Sequence, residues 1–196
     1  MKNFERTLVL IKPDGVERGL IGEVIRRFER AGLKLVAVKM LKPGREQVDR
    51  HYALTEEWMK GVFNKAKAKY DERGEKFSYT DHVSYGTHIK DGVVEFLCSA
   101  PIVAMAWEGE QSVALVRKLA GTTEPAGAAP GTIRGDLSLD SYALSNGQER
   151  PIRNIVHASG TVAEANNEIA VWFTDSEIVS YGHVNDPVLY DAARFK

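Results

Sequence analysis

Apolar residues along this chain alternate between short continuous runs and ladders at helical spacing. Thr7–Ile11 is such a run, rich in β-branched residues and closed by Lys12-Pro13-Asp14-Gly15. It reads as a buried strand ended by a turn. Ile21, Val24, Ile25 and Phe28 then recur on one helical face, and Gly32 stops the helix. Leu33–Met40 predicts a second strand, Pro43-Gly44 breaks it, and a short helix is expected over Arg45–His51. Thr55-Glu56-Glu57 opens the next helix, because threonine caps and acids suit the positive end of the helix dipole. Trp58, Val62 and Ala66 continue one face of it.

Residues 71–88 show no period and are expected to be irregular; helical spacing resumes at Ile89, Val93, Phe96 and Leu97 and stops at Pro101. Ile102–Trp107 predicts a third buried strand. Val113, Val116 and Ala120 mark a helix capped by Gly121. Residues 122–136 read as a Thr/Gly/Pro-rich loop and 137–153 as polar and irregular. Ile155–His157 is a very short strand candidate. Thr161 and Glu164 have capping-box spacing and open a helix through Ile169, Trp172 and Phe173. Glu177–Tyr181 is expected to be a last strand. This order predicts an α+β sandwich, with a mostly antiparallel sheet and helices on one face, as a single domain over residues 1–196.

Composition narrows the function classes. The formal net charge is −1, so no global field draws the protein to nucleic acid or to an anionic membrane. Any bound anion must be held by a local cluster of cations. The one cysteine, Cys98, excludes an internal disulfide. No apolar run approaches the roughly 20 residues of a membrane-spanning helix, and Met1–Arg6 lacks an apolar leader. A cytoplasmic protein is expected.

His157 is the first candidate for chemistry. An unperturbed imidazole is largely neutral and nucleophilic at pH 7, and it can take a phosphoryl group and release it again. A lone histidine is as readily structural, so its neighbours decide. Gly131-Thr132-Ile133-Arg134-Gly135-Asp136 places an arginine between glycines, where backbone and guanidinium can both approach an anion. Arg117 and Lys12 add charge at a helix end and a strand end. Taken singly, each is as readily a solvated surface charge. Glu168 has the composition to orient an imidazole, or to be a surface acid of its helix. Neither a Walker phosphate loop nor a protein-kinase glycine loop is present. No His/Cys/Asp ligand spacing suggests a protein metal site.

Seven segments, in order, resemble the nucleoside diphosphate kinase family. They are Arg6–Val16, Arg18–Glu23, His51-Tyr52, Val103–Met105 with Trp107–Gly109, Gly131–Asp136, Arg153–Ser159 and Glu168–Phe173. The resemblance spans residues 6–181. It implies a ferredoxin-like βαββαβ sandwich and ping-pong transfer of a terminal phosphate between nucleoside tri- and diphosphates through phospho-His157. It further implies that Glu168 and Ser159 support the nucleophile, that Lys12 and Asn154 meet the sugar hydroxyls, and that Arg117, Thr123 and Arg134 meet the phosphates. Tyr52 would lie close to the phosphates and to His157. Mg²⁺ would arrive on the nucleotide, and the protein would assemble as a hexamer or tetramer.

The chain departs from the family pattern at Ala158 and Gly160, where Gly and Asp are usual. It carries an insertion at about 64–92 and a lengthened loop at about 137–151, where Tyr142 and Arg150 are candidates for contact with a nucleotide or a neighbouring subunit, and equally for plain surface positions. The insertion obscures the side chain that stacks on the base; Trp58, beside Val62, is the expected one and Phe63 its rival. Two other readings are a nucleotide-binding module without catalysis and a nucleic-acid-binding protein. The first is disfavoured by the intact set of Lys12, Tyr52, Arg117, Arg134, Asn154 and His157, and the second by the charge balance.

Overall fold

β1 (Phe4–Ile11), β2 (Lys34–Leu41), β3 (Ile102–Glu110) and β4 (Val156–Ala158) form one antiparallel sheet in the order β2-β3-β1-β4. The computed structural model describes residues 4–52, 54–74 and 76–191; Met1–Asn3, part of the start read as lacking a leader, lie outside them. Around the sheet run α1 (Pro13–Glu17), α2 (Ile21–Arg30), α3 (Arg45–His51), α4 (Glu56–Arg73), α5 (His82–Ser99) and α6 (Ser112–Ala120). They are followed by α7 (Ile133–Leu137), α8 (Tyr142–Gly147), α9 (Val162–Trp172) and α10 (Asp186–Tyr190).

Strand alternation sorts the core into two layers. Val9, Ile11, Val103, Met105 and Trp107 face α2 and α6, meeting Val24, Phe28, Val116 and Ala120. Phe28 stands edge-on to Trp107 with ring centroids 5.3 Å apart. Leu8, Leu10, Ala104 and Ala106 face the other way, against Val48 of α3, Val94 and Leu97 of α5, and Trp172 of α9. The α2–α6 pair covers one face as a ferredoxin-like sandwich requires, and α3, α5 and α9 cover the second. Full burial of each large side chain contributes about 2 kcal/mol, so β1 and β3 are clamped from both sides.

Several elements differ from expectation for local reasons. The turn after β1 continues into α1, because Pro13 occupies the first helical turn and fixes its φ there. α5 begins at His82 rather than near Ile89, since the Asp81 side chain accepts the N–H groups of Val83 and Ser84. The same device makes α8, where Ser141 caps through Leu144, and α7, where Thr132 caps through Gly135. Thr161 caps α9 through the N–H of Glu164 as expected, but the Glu164 carboxylate returns to Gly160 N–H, one residue before the cap. Glu177–Tyr181 is no strand: a 3₁₀ turn covers Asp175–Glu177, and one ladder-like bond joins Val179 N–H to Val36 O at 2.8 Å.

The α4–α5 hairpin has a small core of its own, in which Phe63, Tyr70, Tyr79 and Tyr85 gather about Phe77. It is pinned to α3 by Arg45–Asp91 at 2.7 Å and Lys90–Asp49 at 3.1 Å. Residues 137–151 meet it where the Pro151 ring covers Gly92; a Cβ added there would lie 3.2 Å from Pro151 Cγ.

Candidate active site

β4 is only three residues long, yet it fixes His157 opposite Leu10 of β1. Entry into it is abrupt. Ile155 adopts φ +69°, an unusual conformation for a β-branched residue. Its carbonyl accepts Lys12 N–H at 2.7 Å, its N–H donates to Asp14 Oδ2 at 2.9 Å, and Val156 N–H reaches back to Asn154 O at 2.7 Å. That last bond spans a three-residue γ-turn. Its strain is held by α1, whose Asp14 and Gly15 pack directly against it.

The imidazole of His157 is half-buried, with Nε2 3.0 Å from Glu168 Oε1 on α9. An ionised carboxylate only accepts, so the proton sits on Nε2 and Nδ1 keeps its lone pair. The second oxygen of Glu168 accepts Ser159 Oγ–H at 2.5 Å. Ser159 is itself locked beneath β1 by Leu8 N–H, which donates to its Oγ at 3.2 Å.

His51, at the end of α3, joins this group. Its ring stands nearly perpendicular to His157 with centroids 4.5 Å apart, and it accepts Trp172 Nε1–H on Nδ1 at 3.2 Å. Burial, followed by the nearness of His157 and Lys12, pushes its pKa well below that of free histidine. Neutral His51 therefore adds no charge beside the His157 ring. Tyr52 packs edge-on to His51 at 4.4 Å and to His157 at 5.9 Å; burial, then Glu168, raises its phenol pKa. His51, Trp172 and Asp14 lie inside the family-like segments His51-Tyr52, Glu168–Phe173 and Arg6–Val16, but no role is read for them from the sequence.

Three cations gather near His157. Lys12 Nζ donates to Asn154 Oδ1 at 2.7 Å, and Asn154 Nδ2 donates to Thr123 O at 2.7 Å. Arg134 donates to Gly121 O at 2.8 Å, Val156 O at 2.7 Å and Asn154 O at 3.3 Å. Three of its five N–H groups are thus used. Burial, with Arg134 nearby, pushes the Lys12 ammonium down to about 8. Burial, with Arg117 nearby, pushes Arg134 down to about 10. Among the described residues none of Lys12, Arg117 and Arg134 forms an ion pair. Like charges held together in a half-buried cleft favour an anion between them.

A metal ion fits this group poorly. Donor atoms of His51, His157 and Glu168 come within 4.8 Å of one another, and among the described residues no other such group occurs. Glu168 Oε1 and His157 Nε2 are already bonded to each other, and His51 Nδ1 already accepts the Trp172 indole N–H. Of the remaining expected residues, Trp58 lies half-buried in the first turn of α4, its N–H bonded to Thr55 Oγ1 at 3.2 Å. No ring contact joins it to the site among the described residues.

Comparison with known proteins adds a family. The model of a family described as "Nucleoside diphosphate kinase" matches residues 5–74 and 64–178. A nucleoside diphosphate kinase of Pyrobaculum aerophilum is 45% identical over 179 residues, 89% of this chain and 98% of that protein. One of Archaeoglobus fulgidus is 41% identical over 188 residues, 96% of this chain and 99% of that protein. The crystal structure of an NDP kinase from Pyrobaculum aerophilum superposes with a TM-score of 0.87 at 42% identity, over 90% of this chain and all of that one. A Borrelia burgdorferi nucleoside-diphosphate kinase holding vanadate and ADP as a transition-state mimic superposes with a TM-score of 0.78 at 36% identity, over 96% and 98% of the two chains.

Proposed function

Since the chain belongs to the nucleoside diphosphate kinase family and transfers the terminal phosphate of a nucleoside triphosphate to a nucleoside diphosphate, we propose that it does so by a ping-pong route in which His157 carries the phosphate. The observation behind this is the Nε2–Glu168 bond, which leaves Nδ1 unprotonated near Lys12, Arg117 and Arg134, none of which forms an ion pair among the described residues. Nδ1 attacks the terminal phosphorus, an N–P bond forms, the P–O bond to the leaving diphosphate breaks, and the proton stays on Nε2, hydrogen-bonded to Glu168. A second diphosphate then attacks the same phosphorus and the N–P bond breaks.

Catalysis of this transfer consists of positioning and charge stabilisation. Arg134, with two free N–H groups, and Arg117 neutralise the phosphate oxygens. Thr123 borders them, while Lys12 and Asn154 hold the sugar hydroxyls. Tyr52 closes the side of the imidazole, and Ser159 fixes Glu168. The nucleotide brings Mg²⁺ with it. A hard cation that keeps several waters suits the nucleotide's phosphates better than the nitrogen-rich trio about His157. Trp58 is the base-stacking side chain in this reading; its rival Phe63 is engaged with Phe77 and Tyr85.

Residues 1–196 form one domain in this reading, interrupted at about 64–92 and lengthened at about 137–151. The family's match in two stretches supports it. Association into a hexamer or tetramer is supported by Val38 and Met40, more than half exposed on the edge strand β2. Sedimentation mass distinguishes the two. A cytoplasmic location follows from the substrates. No described helix is long and apolar enough to cross a membrane.

Mass analysis after mixing with ATP tests the central assignment. Acid-labile phosphate is expected on the wild type and not on His157→Ala; equal labelling of both overturns it.

A further inference from the structure

The lengthened loop 137–151 contains a buried ion pair that the reaction as described does not use. Asp140 is nearly inaccessible, and both its oxygens are engaged by Arg150, at 2.7 Å from Nη1 and 2.9 Å from Nη2. The same carboxylate accepts two backbone donors, Arg153 N–H at 2.7 Å and Ser141 N–H at 3.0 Å. The Asp140 carbonyl accepts Ala126 N–H at 3.0 Å. Two further bonds lie alongside: Ser138 Oγ–H donates to Arg153 O at 2.9 Å, and Tyr142 N–H donates to Glu124 Oε1 at 2.8 Å. Burial works against the Asp140 charge, but Arg150 and the two N–H donors outweigh it and hold the carboxyl below its ordinary range.

These bonds connect two segments that border Lys12 and Arg134. One wall is Thr123–Ala126, whose Thr123 carbonyl is already tied to Asn154. The other is Arg153-Asn154, which leads through Ile155 into His157. Asp140 touches neither the nucleophile nor any of the three cations. It reaches both walls at once, one through its carbonyl and one through its carboxylate. Arg150 keeps that carboxylate ionised and aimed.

Resting on the assignment of the nucleotide site above, we propose that Asp140 and Arg150 are positioning residues, a clasp that sets the separation of the two walls and so the fit of the nucleotide. His157 itself is held independently, by strand pairing with Leu10 and by Glu168. Opening the clasp therefore shifts Asn154 and Thr123 relative to one another while leaving the imidazole in place. A loss confined to nucleotide binding separates this role from general structural support.

Steady-state kinetics of Asp140→Asn, Arg150→Ala and the double variant test the proposal, together with His157 labelling by phosphoramidate, a donor with no nucleoside. The expected result is an increase in diphosphate KM of about tenfold with kcat changed much less, and no further loss in the double variant, because both changes open the same clasp. Phosphoramidate labelling proceeds at the wild-type rate, and Arg150→Lys, which retains the charge, recovers part of the KM. An unchanged KM in the double variant overturns the proposal, as does labelling that falls in step with nucleotide turnover. Should the alanine variants not fold, Asp140→Asn reads the loss of the clasp alone, and Arg150→Lys a smaller rise in KM. Failure of wild-type His157 to be labelled at all would instead overturn the assignment of the nucleophile.

Discussion

Glu168 and His157 meet at 3.0 Å, and the oxygen that makes this bond belongs to a carboxylate whose other oxygen is fixed by Ser159. One acid on α9 therefore sets both the tautomer and the tilt of a ring on β4. Glu168→Gln keeps the size of the side chain but offers an amide N–H as readily as an oxygen. It lets the ring carry its proton on Nδ1, the attacking atom. A fall in kcat of about a hundredfold is expected, with KM changed little, and it is read from steady-state turnover. A fall in KM alone, with kcat intact, would contradict the assigned role.

Lys12 gives a pH dependence with a defined sign. Its ammonium titrates at about 8 in the fold against 10.5 for a free lysine. Below 8 it is charged in both states, and the folded protein bears the cost of the buried charge. Between 8 and 10.5 the unfolded chain holds more protons, so stability rises with pH across that window, by on the order of 3 kcal/mol at most. Diphosphate affinity moves the other way, weakening as pH rises through 8 and the cation is lost. Urea titrations and ADP calorimetry at pH 7, 8, 9 and 10 check both slopes.

Gly15 leaves no room for a side chain. A Cβ there would lie 2.8 Å from Ile11 Cγ2 and 3.0 Å from Ile155 Cγ2. Gly15→Ala is expected to destabilise by about 1–3 kcal/mol and to slow His157 phosphorylation, because Ile155 is the residue that yields. Chemical denaturation paired with phosphoramidate labelling measures the two effects together.

Arg134→Lys preserves a charge and removes a fork. A lysine cannot serve Gly121 O, Asn154 O and Val156 O together while still facing a phosphate. A loss in kcat/KM of between about ten- and a hundredfold is expected. Near-wild-type turnover would show that the guanidinium does not meet the phosphates.

Much of this architecture is legible before folding because local signals agree with the global pattern. Thr55 and Thr161 open α4 and α9 where their capping chemistry says, and the runs through Leu8 and Ala104 are the strands that lie at the centre of the sheet. Shorter elements escape. α8 has six residues and no apolar face long enough to show a period, so Ser141 alone announces it. Residues 71–88 read as irregular because Phe77, Tyr79 and Tyr85 pack around one another rather than along one helical stripe. His51 is visible only as the neighbour of Tyr52, since its place beside His157 depends on α3 and β4 meeting across the fold. Asp140 and Arg150 look like two ordinary surface charges ten positions apart until the loop between them closes.

Ser159 takes its hydrogen bond from Leu8, 151 positions earlier in the chain, and Lys12 reaches Asn154 across 142 positions. β1 is synthesised well before the strand and helix that carry His157 and Glu168. At roughly 5–20 residues per second, a ribosome carries this chain for many seconds with the first strand made and no site. Nucleotide cannot guide the early steps of folding, because the cleft exists only once Glu168 has cleared the exit tunnel. The chain must reach nearly its native shape unaided, and its ligand stabilises it only afterwards.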